Sequence, residues 1–508
     1  MPNPPESARS AASFARVPYR PLLALTLLYF TAKLLFFALN IAVELPPDEV
    51  THLNRADIFA GSWGVPDDGP ETFRYGLIEG VPWLYNWVTG RVLNLLGWLP
   101  VADWLVLRLF NCGLGLLTVL YGLRWIRLMT GNRIVHLLFL VMITNVLMFT
   151  GLAAAVSYDN LINLLAVLAL YYLFRFSEDR SVSTLAKGQL AVIAGVMTKT
   201  SFLPFAFILE LVLLVRERKH LLGAWGHLKR ALAKPEEGAA PEVVTGYRKR
   251  MAWVVVTVLA GIYAAGFYGT NVLVYGHLTP KADQVLSLEE AMQNRIFARN
   301  YIVRQFKEGN LSFEEAIAMT RGIHEPGNAR RARNLIAVAR DPGALAASLL
   351  GPMEYARRWV VFMLADGMGY HGHLVMRKWS TSLYPMLAIL LVTAVLFIRK
   401  WQPDDAGGAW TGAAVVAGFY ALVLLVLVNY RIYLKSGMLD YALQGRYIFP
   451  VLIPMAGIIS YYLIAYLPRR SQVLVALLVA GYFIYGELPF FLARAEACWF
   501  VGAEGCQY

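Results

Sequence analysis

The chain has 508 residues, of which 58% are hydrophobic and 16% charged, with a mean hydropathy of +0.51. A soluble domain carries about 25% charged residues, so a wholly aqueous fold is excluded and a polytopic membrane protein is expected. The 46 basic residues outnumber the 34 acidic ones, giving a formal charge of +12, yet they are spread over short segments without a recognised binding motif, which speaks against a nucleic-acid module.

Residues 1–20 are polar, carry Arg9, Arg16 and Arg20, and lack a short apolar core ending in a small-residue cleavage site, so a tail without a removable signal peptide is expected. Apolar segments follow at 21–43, 104–123, 134–152, 159–176, 186–199, 202–215, 251–274, 382–398, 410–429, 447–467 and 472–490. The predicted class is therefore all-α with about eleven membrane spans, and the short pair 186–199 and 202–215, which also reads as one tight hairpin, widens that count by about two.

Basic residues recur on one side of these segments: Arg124, Arg127 and Arg133 after the second, Arg175, Arg180 and Lys187 after the fourth, Arg399 and Lys400 after the eighth, and Arg469 and Arg470 after the tenth. The segment 216–250 adds more, including Arg216, Arg218, Lys219, Arg248, Lys249 and Arg250. By the positive-inside rule that side is cytoplasmic, and the excess charge reflects topology and anionic inner-leaflet lipid. The expected organisation is a cytoplasmic tail 1–20, a membrane module 21–274 with outward loop 44–103 and cytoplasmic loop 216–250, an outward helical loop 275–381, a second membrane module 382–490 and an outward tail 491–508.

The outward loop 44–103 opens with Pro46-Pro47-Asp48-Glu49-Val50-Thr51-His52. The prolines stop the first span and suit a new helix start, and the two carboxylates complement its positive end. A helix beginning there puts Asp48, His52 and Arg55 on one face as a base, a metal-ligand type and a cation. The same pattern also suits a capped amphipathic helix on the membrane surface. Farther along lie the Asp67-Asp68 pair, which reads as a turn, Arg74 beside Tyr75, which suits a phosphate or a sugar face, and an amphipathic run with Trp83, Trp87 and Trp98 that belongs in the headgroup region.

Three further motifs fall at the same outer surface. Ser157-Tyr158-Asp159-Asn160 opens the fourth span, where Ser157 is also a natural helix cap. Lys199 ends the fifth span within Thr198-Lys199-Thr200-Ser201, where a lone lysine also suits snorkelling to the interface. Gln444-Gly445-Arg446-Tyr447 opens the tenth span with an outward arginine, against the usual charge bias. A carboxylate base facing Lys and Arg is what sugar transfer from a lipid phosphate needs, since the base takes the acceptor proton and the cations hold the departing phosphate.

These four motifs, in order, resemble a bacterial family of polytopic membrane proteins that is similar to the GT-C glycosyltransferase superfold, which includes protein O-mannosyltransferases and the aminoarabinose transferase of lipid A. The resemblance covers about residues 20–490. It implies an inner-membrane enzyme with its site facing outward and a polyprenyl-phosphate sugar donor. By position, Asp48 becomes the catalytic base with Glu49 as second candidate, and Lys199 a donor-phosphate ligand. Arg446 is assigned to phosphate from its chemistry, Arg74 and Tyr447 to the donor, and His52, Arg55, Tyr158, Asp159 and Asn160 to supporting roles. No large soluble domain follows the last span, so the acceptor, whether glycan, lipid or protein, stays open.

No certain cofactor is implied. His371 and His373 suit either a divalent metal shared with Asp48 or Glu49, or plain solvation. Cys498 and Cys506 suit a disulfide in an oxidising compartment. The sequence has no D-x-D, and Gly195-Val-Met-Thr-Lys-Thr-Ser201 resembles a phosphate loop but lacks the glycine before lysine and lies in a span, so neither a nucleotide-sugar donor nor ATP coupling is indicated. Two other readings remain: an envelope-glycan polymerase or ligase using lipid diphosphates, to which Arg330, Arg331, Arg333, Arg357 and Arg358 of the long loop would be suited, and a lipid or sugar transporter.

Overall fold

All the apolar segments of the sequence are helical in the computed structural model, which describes residues 18–232, 240–372, 374–377, 380–401, 408–441 and 443–502. Helix α1 (Tyr19–Asn40) is followed by the Pro46-Pro47 stop and then by α2 (Glu49–Ala60) and α3 (Leu84–Leu96), the two helices of the first loop. Then come α4 (Asp103–Met129), the broken pair α5 (Arg133–Thr144) and α6 (Leu147–Ala153), α7 (Tyr158–Asp179), α8 (Val182–Thr198), α9 (Leu203–Leu232) and α10 (Pro241–Tyr275). A lobe of mostly short helices includes α11 (Arg295–Lys307), α12 (Pro326–Arg340) and α13 (Pro352–Gly367), and closes with the only strands among the described residues, a hairpin of β1 (Tyr370–His371) and β2 (Val375–Met376). The remaining helices are α14 (Tyr384–Lys400), α15 (Ala409–Ser436), α16 (Gly445–Ile464) and α17 (Arg469–Leu492).

Seven of these helices are long and apolar enough to cross a membrane, or eight if the α5–α6 pair, bent by 67°, counts as one span. The expected eleven is reached only by adding α8 and α14, each 17 residues long, and α9, which carries Glu210, Arg216, Glu217 and Arg218. The expected cytoplasmic loop 216–250 is largely helical, since α9 runs to Leu232 and α10 starts at Pro241.

One large apolar core runs through the bundle, centred on α4, α5, α7 and α16. Close helix approach depends on small residues: a Cβ on Gly457 of α16 would press into the ring of Trp125 on α4. The lobe has a separate core, with Ala298 and Ile302 of α11 against Ala332, Leu335 and Ile336 of α12. That second core fixes α11 against α12, so the lobe presents its side chains to the end of the bundle that carries Asp48.

Candidate active site

Asp48 is not the first residue of α2, as its spacing suggested, but the residue just before it, at φ +59° in the left-handed region. Asp is among the few residue types that tolerate this, at a cost of about 1 kcal/mol. Its side chain makes no capping bond to α2, although an aspartate there ordinarily does. Instead its Oδ2 accepts a hydrogen bond from Arg446 Nη2 at 2.7 Å.

Arg446 is placed by the start of α16. At Gly445 the chain passes so close to Asp366 and Gly367 that a Cβ would fall on their backbone, so only glycine fits. The buried guanidinium that follows donates from Nε to Gln444 Oε1 at 2.6 Å and lies 3.5 Å from Asp159 Oδ2 through Nη1. Asp159 sits in the first turn of α7, where the Ser157 hydroxyl accepts from its amide. Its other oxygen pairs with Lys199 Nζ at 2.7 Å. Lys199 stands where α8 ends, over the Tyr158 ring at 4.1 Å and 5.6 Å from the Tyr447 ring. The four sequence motifs therefore meet in one line of alternating charge, Asp48, Arg446, Asp159 and Lys199.

A cavity of about 860 Å³ opens at one end of this line, where Asp48 and Arg446 form part of its wall, while Asp159 and Lys199 stand behind them and do not line it. Arg55 and Arg74 line it from the first loop, Arg295, Arg299 and Arg331 from the lobe, and Arg377 and Arg446 from the second half of the chain; the carboxylates lining it are Asp48 and Asp440. Seven guanidiniums against two carboxylates give the cavity a cationic wall, although Arg295, Arg377 and Arg446 also pair with Glu325, Asp366 and Asp159 behind it. Asp48 is the carboxylate beside Arg446 in its wall. Burial raises the Asp48 carboxyl, but Arg446, with its charge and hydrogen bond, and the charge of Arg295 outweigh that and hold it well below the usual carboxylate range. The group is ionised at neutral pH.

His52, Arg55, Tyr158 and Tyr447 line the same cavity. His52 is 2% exposed and lies edge-on to Tyr158 at 4.4 Å, and neither ring nitrogen has a hydrogen-bond partner. Burial pushes its pKa down to about 3, so the imidazole is neutral. Arg55 ties α2 to the loop by donating to the Tyr75 carbonyl at 2.6 Å, and Arg74 stacks on Tyr75 at 4.6 Å.

Of the predicted site residues, Glu49, Asp159, Asn160 and Lys199 do not line the cavity. Glu49 is fully buried and gives both oxygens to Arg108, at 2.9 and 2.7 Å, while Oε1 also accepts from the Val156 amide at 2.8 Å. Burial pushes its carboxyl pKa up, and the Arg108 and Val156 donors oppose that; with both oxygens accepting from N–H groups, the ionised form is the one the site suits. Arg108 completes the joint by donating to the carbonyls of Ala38 and Ile41 at the end of α1. Asn160 belongs to a second buried network, with Asn111 and the Leu152 and Ala155 carbonyls.

The sequence reading singled out neither Arg108 nor the lobe residues Arg295 and Arg299. Arg108 had a usable signal, a full charge inside an apolar segment. The lobe arginines had none, because their shared face is set by the packing of α11 on α12. Both partner with the lobe, Arg295 with Glu325 at 2.8 Å and Arg299 with Asn328 at 2.7 Å.

Among the described residues no group of three or more His, Cys, Asp or Glu is arranged to hold a metal ion. His371 lies on β1, and His373 is outside the described residues. Cys498 is disulfide-bonded and Cys112 is a free, buried thiol, while Cys506 lies outside the described residues.

No protein-family model matches the sequence, and the curated proteins compared with it give no match. Solved structures do. The chain is similar to the oligosaccharyltransferase AglB of Archaeoglobus fulgidus in complex with an inhibitory peptide and a dolichol-phosphate, at 13% identity over 93% of this chain and 55% of that one, with a TM-score of 0.43. The apo form of the A. fulgidus oligosaccharyltransferase gives 13% identity, 94% and 55% coverage and a TM-score of 0.45. ArnT of Cupriavidus metallidurans in the apo state gives 15% identity, 87% and 75% coverage and a TM-score of 0.35. The chain spans about half the length of the oligosaccharyltransferases it matches.

Proposed function

We propose that the chain is a membrane glycosyltransferase that moves a sugar from a polyprenyl-phosphate donor to an outward acceptor, with inversion at the anomeric carbon. The observation that carries this is an ionised carboxylate, Asp48, paired with Arg446 in the wall of a cavity lined by seven arginines. The acceptor hydroxyl passes its proton to Asp48 while its oxygen bonds to the anomeric carbon from the face opposite the phosphate. The carbon–oxygen bond to phosphate breaks, and its electron pair leaves on the phosphate. Arg446 and Lys199 hold that charge, with Tyr447 and Arg74 beside them.

The ion pair with Arg446 makes Asp48 a weak base. A phosphate bound by Arg446 competes with Asp48 for the guanidinium, so donor binding raises the basicity of the group that must take the proton. His52, neutral and with both ring nitrogens buried and unpartnered, shapes the cavity wall beside Asp48. Asp159 holds Arg446 and Lys199 in place.

A second reading, transfer from a lipid diphosphate by a glycan polymerase or ligase, is favoured by one feature: the lobe brings Arg295, Arg299 and Arg331 to the cavity, more cation than one phosphate needs. Mass spectrometry of lipid-linked sugars in cells with the wild type, a deletion or Asp48→Asn separates the two. Equal accumulation of a polyprenyl-monophosphate sugar in the deletion and in Asp48→Asn is expected. Accumulation of lipid-diphosphate glycans alone favours the second reading, and unchanged pools overturn both.

A further inference from the structure

At the end of the bundle opposite Asp48, a separate recess of about 640 Å³ opens between the C-terminal ends of α4 and α7 and the start of α8. Arg124, Arg127, Arg175 and Lys187 line it against one carboxylate, Asp179. That carboxylate is already committed: Oδ2 accepts from Arg175 at 3.2 Å and from the Thr184 hydroxyl at 2.9 Å, and Oδ1 from the Ser181 amide at 2.9 Å. Arg127 gives two N–H groups to the Tyr19 hydroxyl at 3.0 and 2.9 Å.

Arg124 and Lys187 have aromatic rings instead. Arg124 lies 4.7 Å from the Tyr121 ring, and Lys187 lies 5.8 Å from Tyr172 and 5.2 Å from Trp253. Neither has a carboxylate within ion-pair distance among the described residues. Rings orient a cation but carry no net charge to neutralise it. Trp253 belongs to α10, of whose most apolar stretch only 6% is buried inside the protein. Lys187 therefore stands beside a helix whose apolar surface the rest of the described protein leaves uncovered, with Arg124 across the same recess.

We propose that this recess binds the phosphate of an anionic phospholipid headgroup, with Arg124 and Lys187 making the charge contacts and the acyl chains lying along α10. The basic bias of this end puts the lipid in the cytoplasmic leaflet, where anionic lipid concentrates. The site is independent of the glycosyl-transfer reading, because it shares no residue with the Asp48 cavity.

Native mass spectrometry of the purified full chain, with phosphatidylglycerol or phosphatidylcholine added to the detergent, tests it. The wild type is expected to retain phosphatidylglycerol in preference to phosphatidylcholine, and Arg124→Gln with Lys187→Gln to lower that retention about tenfold or more. Arg330→Gln with Arg333→Gln removes the same charge from the lobe and should leave retention unchanged, and Arg124→Lys with Lys187→Arg keeps the charge and should preserve it. Equal retention by the wild type and the double glutamine variant, or loss of the lipid to millimolar inorganic phosphate, overturns the proposal.

Discussion

Asp48 and Glu49 are neighbours with the same charge, and substituting each by its amide should have opposite consequences. Glu49→Gln leaves Arg108, fully buried, without its carboxylate. The guanidinium keeps the Ala38 and Ile41 carbonyls, but carbonyl dipoles do not neutralise a unit charge, and breaking a buried pair from one side costs roughly 3–5 kcal/mol. The joint that breaks is the one holding the end of α1, the start of α2 and the Val156 turn together, so the loss should appear as a lowered melting temperature in detergent. Asp48→Asn changes a side chain that is 43% exposed toward the cavity, and asparagine tolerates the left-handed backbone as well as aspartate does. The protein should melt near the wild-type temperature while transfer falls about 10²–10⁴-fold, the usual worth of a general base. Thermal unfolding and activity measured on the same preparations decide the matter. A Glu49→Gln protein that is as stable as wild type yet inactive would make Glu49 the catalytic carboxylate and refute this division of roles.

Removing Arg74 or Arg331, neither of which has a carboxylate partner among the described residues, by substitution with Gln should raise the donor KM about tenfold with a smaller change in kcat, since a hydrogen bond to a charged group is worth about 1.5–3 kcal/mol; an unchanged KM in both would place the donor elsewhere. His52 gives a pH signature. The folded protein holds it neutral down to about pH 3, whereas the unfolded chain protonates it near 6.5. Stability should therefore fall as pH drops from 6.5 toward 3, by up to about 1.4 kcal/mol per unit from this residue, with no contribution above 6.5. His52→Gln should flatten that part of the slope, and an identical slope would show that the ring is not held neutral. Lys33→Met should cost roughly 3–5 kcal/mol by stranding Glu487, its buried partner at 2.8 Å, and the further change Glu487→Leu should recover only part of it. Lys33 also donates to the Thr144 carbonyl and Asn145 Oδ1 at the α5–α6 break, and those acceptors stay unsatisfied; full recovery of the melting temperature in the double variant would contradict this.

Much of the fold was legible because hydrocarbon thickness converts directly into helix length, and the apolar segments are helices in the order expected. The exceptions have local causes. Asn145 ends α5 in a non-helical conformation and breaks a span that reads as continuous, and the charged stretch after Glu210 continues as helix because Arg, Glu and Lys are good helix formers. At the site, Asp48, Arg446, Asp159 and Lys199 could be picked out because each is charged at the end of an apolar run. The difference between Asp48 and Glu49 could not. It depends on a left-handed residue that turns one carboxylate to the cavity and the next into the bundle, and on Arg108 lying in wait for the second. Spacing along α2 gives no hint of either.

Those two neighbouring carboxylates explain each other. A left-handed Asp without a capping bond is a local expense that persists only where the surroundings fix it. The fixing is supplied one residue later, where Glu49 is locked by Arg108 to α1 and by Val156 to the turn before α7. Arg446 is held from the other side by Asp159, Gln444 and the glycine approach at Gly445. Asp48 thus stands between two rigid anchors with a single mobile contact of its own, the 2.7 Å bond to Arg446. Under the proposed mechanism, a donor phosphate would need to break only that bond to reach the cation and free the base. The buried pairs that do no chemistry are what allow the one beside the cavity to be exchanged without disturbing the loop.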